Sequence, residues 1–233
     1  MRPGDYTRTI LLEAPWREFG LPPRCRVLDV GSQFGWEVDA LRAMGLNAVG
    51  LDIDPKARGL VRGDALALPF RDGSFDGIVC IRTLGAIDDD AGALREFHRV
   101  LQPEGFLLAA VANLWSYTAV VPRSSINKSL RETYGGTWRL YDRPMLRAKL
   151  ASAGFETVGI RGCHFLPHWF VERETPVITE VFATADQSLG DNVLLGRLGT
   201  LILACGKRGG RGSHAATRNR TPATIERGQQ RRK

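Results

Sequence analysis

The sequence predicts a doubly wound α/β fold whose sheet is parallel in its first part. Short β-rich apolar runs alternate with stretches whose apolar residues recur at helical spacing, the order that strand–helix–strand crossovers require. A glycine turn directly follows the first run, where a parallel strand hands over to a helix. The length, 233 residues, suits one sizeable domain with appendages.

Arg26-Val27-Leu28-Asp29-Val30 reads as a buried strand, because its apolar run stops abruptly at Gly31. Trp36, Ala40, Leu41 and Met44 then recur at helical spacing, and Gly45 supplies the stop. Ala48-Val49-Gly50-Leu51 is a second strand ending at Asp52, and Leu60-Val61-Arg62 a brief third ending before Gly63-Asp64. Phe75 to Ile81 is a fourth, with Asp76 and Gly77 inside an otherwise apolar run. Leu94, Phe97, Val100 and Leu101 lay an apolar stripe on a helix that Gln102-Pro103-Glu104-Gly105 terminates. Phe106 to Val111 is the fifth strand. Asp142-Arg143-Pro144 is a helix start and Gly154 its stop, after Leu146 and Leu150. Glu156–Arg161 and Thr200–Cys205 are the last strand candidates, separated by a long helical or irregular insert.

Apolar residues make up 43% and charged residues 24%, which excludes a wholly disordered chain. The formal charge of +7 is unevenly placed. Residues 207–233 hold nine basic side chains and one acid, Glu226, so the body before them carries about −1. This stretch has almost nothing to bury and is expected to be a disordered basic tail. Its arginines lack the interleaved aromatics of single-strand binding surfaces, which disfavours nucleic acid as a partner. Cys25, Cys80, Cys163 and Cys205 lie far apart, the usage of reduced thiols in a cytosolic protein. No apolar run approaches the roughly 20 residues that cross a bilayer. A soluble, cytoplasmic protein without a transmembrane segment is expected.

The strongest local signal is Val27-Leu28-Asp29-Val30-Gly31-Ser32-Gln33-Phe34-Gly35. A tight turn between a strand and a helix lets a ligand lie against bare backbone at a helix N-terminus. The dinucleotide fingerprint needs glycine at the middle position, where this chain has Gln33. Asp52 ends the second strand, where an acid accepts hydrogen bonds from a ribose. Strand, glycine turn and distant acid together indicate an adenosine-containing ligand.

The stretch Gly63-Asp64-Ala65-Leu66-Ala67-Leu68-Pro69-Phe70-Arg71-Asp72-Gly73-Ser74-Phe75-Asp76 resembles a region of the class I S-adenosylmethionine-dependent methyltransferases, specifically the type 11 group. The likeness continues through Leu94-Arg95-Glu96-Phe97-His98-Arg99-Val100-Leu101-Gln102-Pro103-Glu104-Gly105-Phe106 and covers about residues 24–112. It extends more loosely to Ala153-Gly154-Phe155-Glu156 and the final strand. The resemblance implies a Rossmann-like sheet of seven strands, mostly parallel with an antiparallel last strand, in a methyltransferase domain spanning 1–206. It also implies S-adenosyl-L-methionine as cofactor.

Matched residue by residue, the resemblance gives each motif a role. Asp29, Gly31, Ser32 and Gly35 match the motif that wraps the methionine part of the cofactor. Asp52 matches the acid that takes the ribose hydroxyls, with Ile53 packing on the adenine. Asp64 matches the residue near the adenine amino group, and the Ala65 N–H would reach a ring nitrogen. Cys80, Ile81 and Arg82 match positions beside the cofactor's amino group and sulfonium. The usual glycine-rich motif has more glycine than Gly31-Ser32-Gln33-Phe34-Gly35, so Gln33 and Phe34 are expected to narrow the turn. Another departure is the short link from Asp52 to Asp64, and a third is Ala86, where many relatives have a histidine.

Two inserts, 112–140 and 165–197, are expected on the acceptor side. The first carries Asn113, Trp115, Tyr117, Arg123, Asn127, Arg131, Tyr134, Trp138 and Arg139. This mixture fits an acceptor pocket at the carboxyl edge of the sheet, and a plain helical core is the alternative. Arg82, Tyr117, His164 and His168 are the candidates for orienting the acceptor or removing its proton. Pro167 interrupts the face that His164 and His168 would share on a helix, so no metal site is assigned. His98 is expected to pack or face solvent. The expected activity is methyl transfer to an oxygen or nitrogen of a small-molecule acceptor. A non-methylating cofactor-binding protein or partner subunit, and an RNA methyltransferase, are the alternatives.

Overall fold

Strand β1 (Arg26–Val30) is an interior strand of the sheet, with Val27, Leu28 and Val30 all buried, as a strand covered on both faces requires. The computed structural model describes residues 8–116, 138–165, 176–192 and 194–209, with backbone alone for 176–182. Around β1 are arranged β2 (Asn47–Asp52), β3 (Val61–Arg62), β4 (Phe75–Ile81), β5 (Leu101–Ala112), β6 (Phe155–Cys163) and β7 (Leu201–Arg208). Their order is β3-β2-β1-β4-β5-β7-β6. The first five pair in parallel, and β7 runs antiparallel to both β5 and β6, as the resemblance implies. Winding reverses between β1 and β4, so a crevice opens at their carboxyl ends.

Two apolar layers sandwich the sheet. On one face Val27, Val79, Leu108 and Leu203 pack with Val38 and Leu41 of helix α2 (Trp36–Ala43). Ile10, Leu11, Leu12 and Trp16 cover the same face from the N-terminal helical segment. On the other face Leu28, Ile78, Leu107 and Ile202 meet Leu94 and Phe97 of α3 (Asp90–Val100) and Leu146 and Leu150 of α4 (Arg143–Ser152). Asp142 caps α4 by accepting from the Met145 N–H at 2.7 Å, with Pro144 in the first turn. Gly154, at φ +89°, takes the left-handed stop. The longest of the described helices, α5 (Pro176–Asp191), lies in the second insert. His98 packs edge-on against Phe155, the packing role expected of it.

Three features differ from the expected elements. Helix α1 (Ala14–Glu18) follows a wide π turn over Thr9–Glu13, and neither belongs to the elements read above. Pro15 has no N–H to donate into the preceding turn, and the Ala14 N–H reaches back to the Thr9 carbonyl instead. The Gln102–Gly105 turn is taken into β5 as an irregular entry. Its pairing with β4 jumps from Phe75↔Leu101 to Gly77↔Phe106. Finally, β7 continues to Arg208, so Lys207 and Arg208 belong to the sheet rather than to the tail. Lys207 pairs with Glu104 at 2.8 Å, and the Arg208 side chain donates to the Leu101 carbonyl. Residues 210–233 lie outside the described ones.

Candidate cofactor and active site

A cavity of about 570 Å³ opens at the reversal point, within the range of small-molecule sites. Its floor is the turn after β1. Gly31 adopts φ +88°, and a Cβ built there would lie 1.9 Å from Thr83 Oγ1, so only glycine fits between the turn and the loop after β4. Gln33 adopts φ +34°, a left-handed conformation that glycine takes at less cost. Gly35, at φ +75°, caps α2.

Asp52 stands at the end of β2 and closes the turn. Its Oδ2 accepts from the Gln33 N–H at 2.9 Å and its Oδ1 from the Asp54 N–H at 2.8 Å. Each oxygen keeps a lone pair, so the carboxylate can still accept two ribose hydroxyls. Ile53, 70% exposed, offers a bare apolar face beside it. Across the cavity Asp64 anchors its own turn by accepting from the Leu66 N–H at 2.9 Å. A salt-bridged Arg99 steadies that turn from behind. Its guanidinium donates to the Leu68 and Phe70 carbonyls and pairs with Glu96 and Asp72.

Of the residues that the resemblance assigns to the cofactor, Gly31, Ser32, Asp52, Ile53, Asp64, Ala65, Ile81 and Arg82 line the cavity. Asp29, Gly35 and Cys80 do not. Cys80 points into the apolar layer with Leu28 and Leu107, because side chains alternate across a strand and Ile81 takes the other side. Burial pushes its thiol up to about 12, which removes it from chemistry. Gly35 shapes the helix start beside Leu60 and Ala57. The Asp29 carboxylate is sealed beneath the turn and accepts from Ser32 Oγ at 2.6 Å. Burial pushes its carboxyl well above the usual range, and the charge of Glu37 adds to the effect.

Several lining residues were not among the candidates. Glu37, in the first turn of α2, faces Arg82 at 3.8 Å. Its carboxyl is also raised by burial, with Arg82 opposing. Phe34 and Trp36 stack at 4.9 Å and 18° on one wall. Ala86, Ile87, Asp88 and Trp138 form the opposite rim, so the first insert does bring Trp138 to the site. Trp138 is held there through its neighbour. Arg139 bonds the Gly85 carbonyl through its N–H and Asp90 through its guanidinium at 2.8 Å. Buried Asp90 also takes Tyr141 at 2.8 Å and Lys149 at 2.7 Å.

The proton-transfer candidates fare unevenly. Arg82 lines the cavity. His164 does not: it ends β6 at the far edge of the sheet, where Thr200 bonds its carbonyl and its N–H meets Asp186. Tyr117 and His168 lie outside the described residues. Asn113 is a tie rather than an acceptor contact, since its buried amide donates to the Arg197 and Gly199 carbonyls. Trp115 is exposed and away from the cavity. The described lining residues include no histidine, and among the described residues no cluster fit for a metal ion occurs. No helix among them is long and apolar enough to cross a membrane.

Residues 28–109 match the family described as a methyltransferase domain, the type 11 group. The chain is 38% identical over 122 residues to a demethylmenaquinone methyltransferase of Roseiflexus castenholzii, covering 42% of this chain and 49% of that protein. It is 31% identical over 132 residues to a ubiquinone/menaquinone biosynthesis C-methyltransferase of Dinoroseobacter shibae, covering 48% and 51%. The chain thus spans about half the length of these relatives. A solved S-adenosylmethionine-dependent methyltransferase of Thermotoga maritima, described as a possible histamine N-methyltransferase, shares the fold. It superposes with a TM-score of 0.60 at 18% identity, over 87% of this chain and 89% of that one. Residues 28–109 thus match a methyltransferase domain, and they lie on a sheet whose fold is shared with solved S-adenosylmethionine-dependent methyltransferases.

Proposed function

We infer that the protein transfers the methyl group of S-adenosylmethionine to a small acceptor containing a planar ring. The observation that carries this reading is the cavity itself. Glycine-only backbone at Gly31, the ribose-type acid Asp52 and the adenine-side turn at Asp64 share one wall system with a stacked aromatic pair. The nucleoside would lie between Asp52, Ile53 and the Asp64–Ala65 turn. The acceptor ring would lie against Phe34, Trp36, Ile87 and Trp138, whose flat apolar faces suit it.

The bound cofactor supplies a methyl on a sulfonium, which leaves as a neutral thioether. The chain's part is to align acceptor and methyl and to keep water out. Trp138, fixed through Arg139 and Asp90, closes one side, and the Phe34–Trp36 pair closes the other. Asp88, on the rim beside Ile87 and Trp138, is the carboxylate placed to take a proton from the acceptor.

The sequence alone suggested oxygen or nitrogen as the methylated atom. One sequence relative is named a demethylmenaquinone methyltransferase and another a ubiquinone/menaquinone biosynthesis C-methyltransferase, which favours a ring carbon. An electron-rich ring carbon forms the new bond to the methyl, and the hydrogen it carried departs as a proton. An RNA acceptor is disfavoured by charge. The cavity presents Glu37, Asp52, Asp54, Asp64 and Asp88 against Lys56 and Arg82, a wall that repels phosphate.

The test uses deuteromethyl-labelled cofactor with a panel of hydroquinones, phenols and amines, followed by mass and NMR analysis of the product. A ring-carbon deuteromethyl group with release of S-adenosylhomocysteine is expected. Label on oxygen or nitrogen alone would move the reading to that atom. Cofactor binding without turnover on any acceptor would favour the non-methylating alternative, which the non-glycine turn at Gln33 keeps in view.

A further inference from the structure

Glu37 and Arg82 stand side by side on the cavity wall although they belong to different elements. One lies in the first turn of α2, and the other is the residue that follows β4. Their charged ends are 3.8 Å apart, and the side chains are 17% and 35% exposed. That separation lies beyond hydrogen-bond range, so the two attract without consuming each other's donors and acceptors. Arg82 is held at φ +57°, with its N–H donating to the Ala110 carbonyl at 2.7 Å. A left-handed arginine fixed at the tip of a central strand is strain kept where a ligand is met.

The resemblance counts Asp29 with Gly31, Ser32 and Gly35 in the motif that wraps the methionine end of the cofactor, yet its carboxylate is 2% exposed and closed off by Ser32. A molecule in the cavity meets Glu37 instead. The amino-acid end of S-adenosylmethionine carries an ammonium and a carboxylate on one carbon. A carboxylate beside a guanidinium presents the complementary pair, with the planar fork suited to the carboxylate.

We propose that Glu37 and Arg82 form the seat for this zwitterion, Glu37 accepting from the α-ammonium and Arg82 donating to the α-carboxylate, in place of Asp29. This rests on the cofactor reading above and adds the residues that recognise one end of the molecule. The charge order is alternating, so each ligand group gains one opposite partner and the wall pair is not broken.

Titration calorimetry with three ligands tests it: S-adenosylhomocysteine, decarboxylated S-adenosylmethionine, and 5′-methylthioadenosine, which lacks the amino-acid end altogether. Glu37→Gln is expected to weaken the first two by about tenfold or more and to leave methylthioadenosine unchanged. Arg82→Gln is expected to weaken S-adenosylhomocysteine alike and to spare the decarboxylated ligand. Melting temperatures of the variants read folding separately from affinity. Arg82→Lys keeps a cation and serves where Arg82→Gln does not fold, with an intermediate loss for S-adenosylhomocysteine. Equal losses for methylthioadenosine would overturn the seat, as would variants with unchanged affinities. A wild type that binds neither S-adenosylhomocysteine nor methylthioadenosine would overturn the cofactor reading and the seat with it.

Discussion

Replacing Gly31 by alanine should be among the most damaging small changes this protein can receive. The new Cβ would fall 1.9 Å from Thr83 Oγ1, 2.5 Å from its Cγ2 and 2.6 Å from its Cβ. No rotamer of Thr83 moves its own Cβ, so the backbone must give. Overpacking of this kind costs about 1–3 kcal/mol. The φ of +88° adds about 1–2 kcal/mol for any residue bearing a Cβ. The sum is about 2–5 kcal/mol of folding stability. In a Thr83→Gly background the clash is gone and only the backbone strain remains, so the same alanine should cost about 1–2 kcal/mol there. Urea unfolding of the four proteins, analysed as a double-mutant cycle, reads the coupling directly. A Gly31→Ala variant as stable as the wild type would refute the reasoning. So would an equal cost in both backgrounds.

Three further expectations follow from the same geometry. Asp52→Ala should weaken S-adenosylhomocysteine binding by about 1–3 kcal/mol in calorimetry, since it removes a charged acceptor from the ribose side of the cavity. Asp90→Asn should cost about 2–4 kcal/mol in denaturant unfolding, because it leaves Arg139, Tyr141 and Lys149 around a buried neutral amide. Burial alone would raise the Asp90 carboxyl, but the hydrogen bonds from Lys149, Tyr141 and Arg139 outweigh it and hold it below the usual range. Its contribution is therefore complete above about pH 4 and lost as pH falls through the folded value. The stability gap between wild type and variant should shrink on acidification, and a pH-independent gap would contradict this. Gln33→Gly should leave the melting temperature unchanged or raise it, because relief of a left-handed glutamine offsets the added freedom of glycine in the unfolded chain.

Most strands were legible because parallel strands buried on both faces read as continuous apolar runs; β4 falls at Phe75–Ile81 as read. The N-terminal segment was not legible. Ile10-Leu11-Leu12 is a contiguous run rather than a helical stripe, and Pro15 stands inside the pattern, so neither period shows. The end of β7 was hidden by its charges, which are satisfied only by tertiary partners, Glu104 and the Leu101 carbonyl. In the site, motif likeness identified the right segments but not which side chains face the cavity. Cys80 lies on the right strand and points away, a matter of strand alternation at β4 that a motif does not carry, and Asp29 is sealed beneath the turn by Ser32. Glu37 escaped notice because an acid in a first helical turn ordinarily serves the helix dipole.

The turn after β1 shows how a chain can depart from a glycine-rich pattern and keep its shape. A glycine at position 33 would adopt a left-handed φ without cost, and glutamine does not. Here the conformation is held from both sides: the Gln33 N–H donates to Asp52 at 2.9 Å, and its carbonyl accepts from the Lys56 N–H at 2.8 Å. Both restraints come from β2 and the segment just after it. The short link between Asp52 and Asp64 therefore has a second use, because it carries Lys56 back over the turn. Asp52 is the clamp on this turn and, in the proposed cofactor pose, the ribose acceptor as well. A perturbation of that one carboxylate acts on two parts of the cavity together, whereas Asp64 organises only its own turn. The departure from glycine at Gln33 and the shortened link after Asp52 are one structural arrangement.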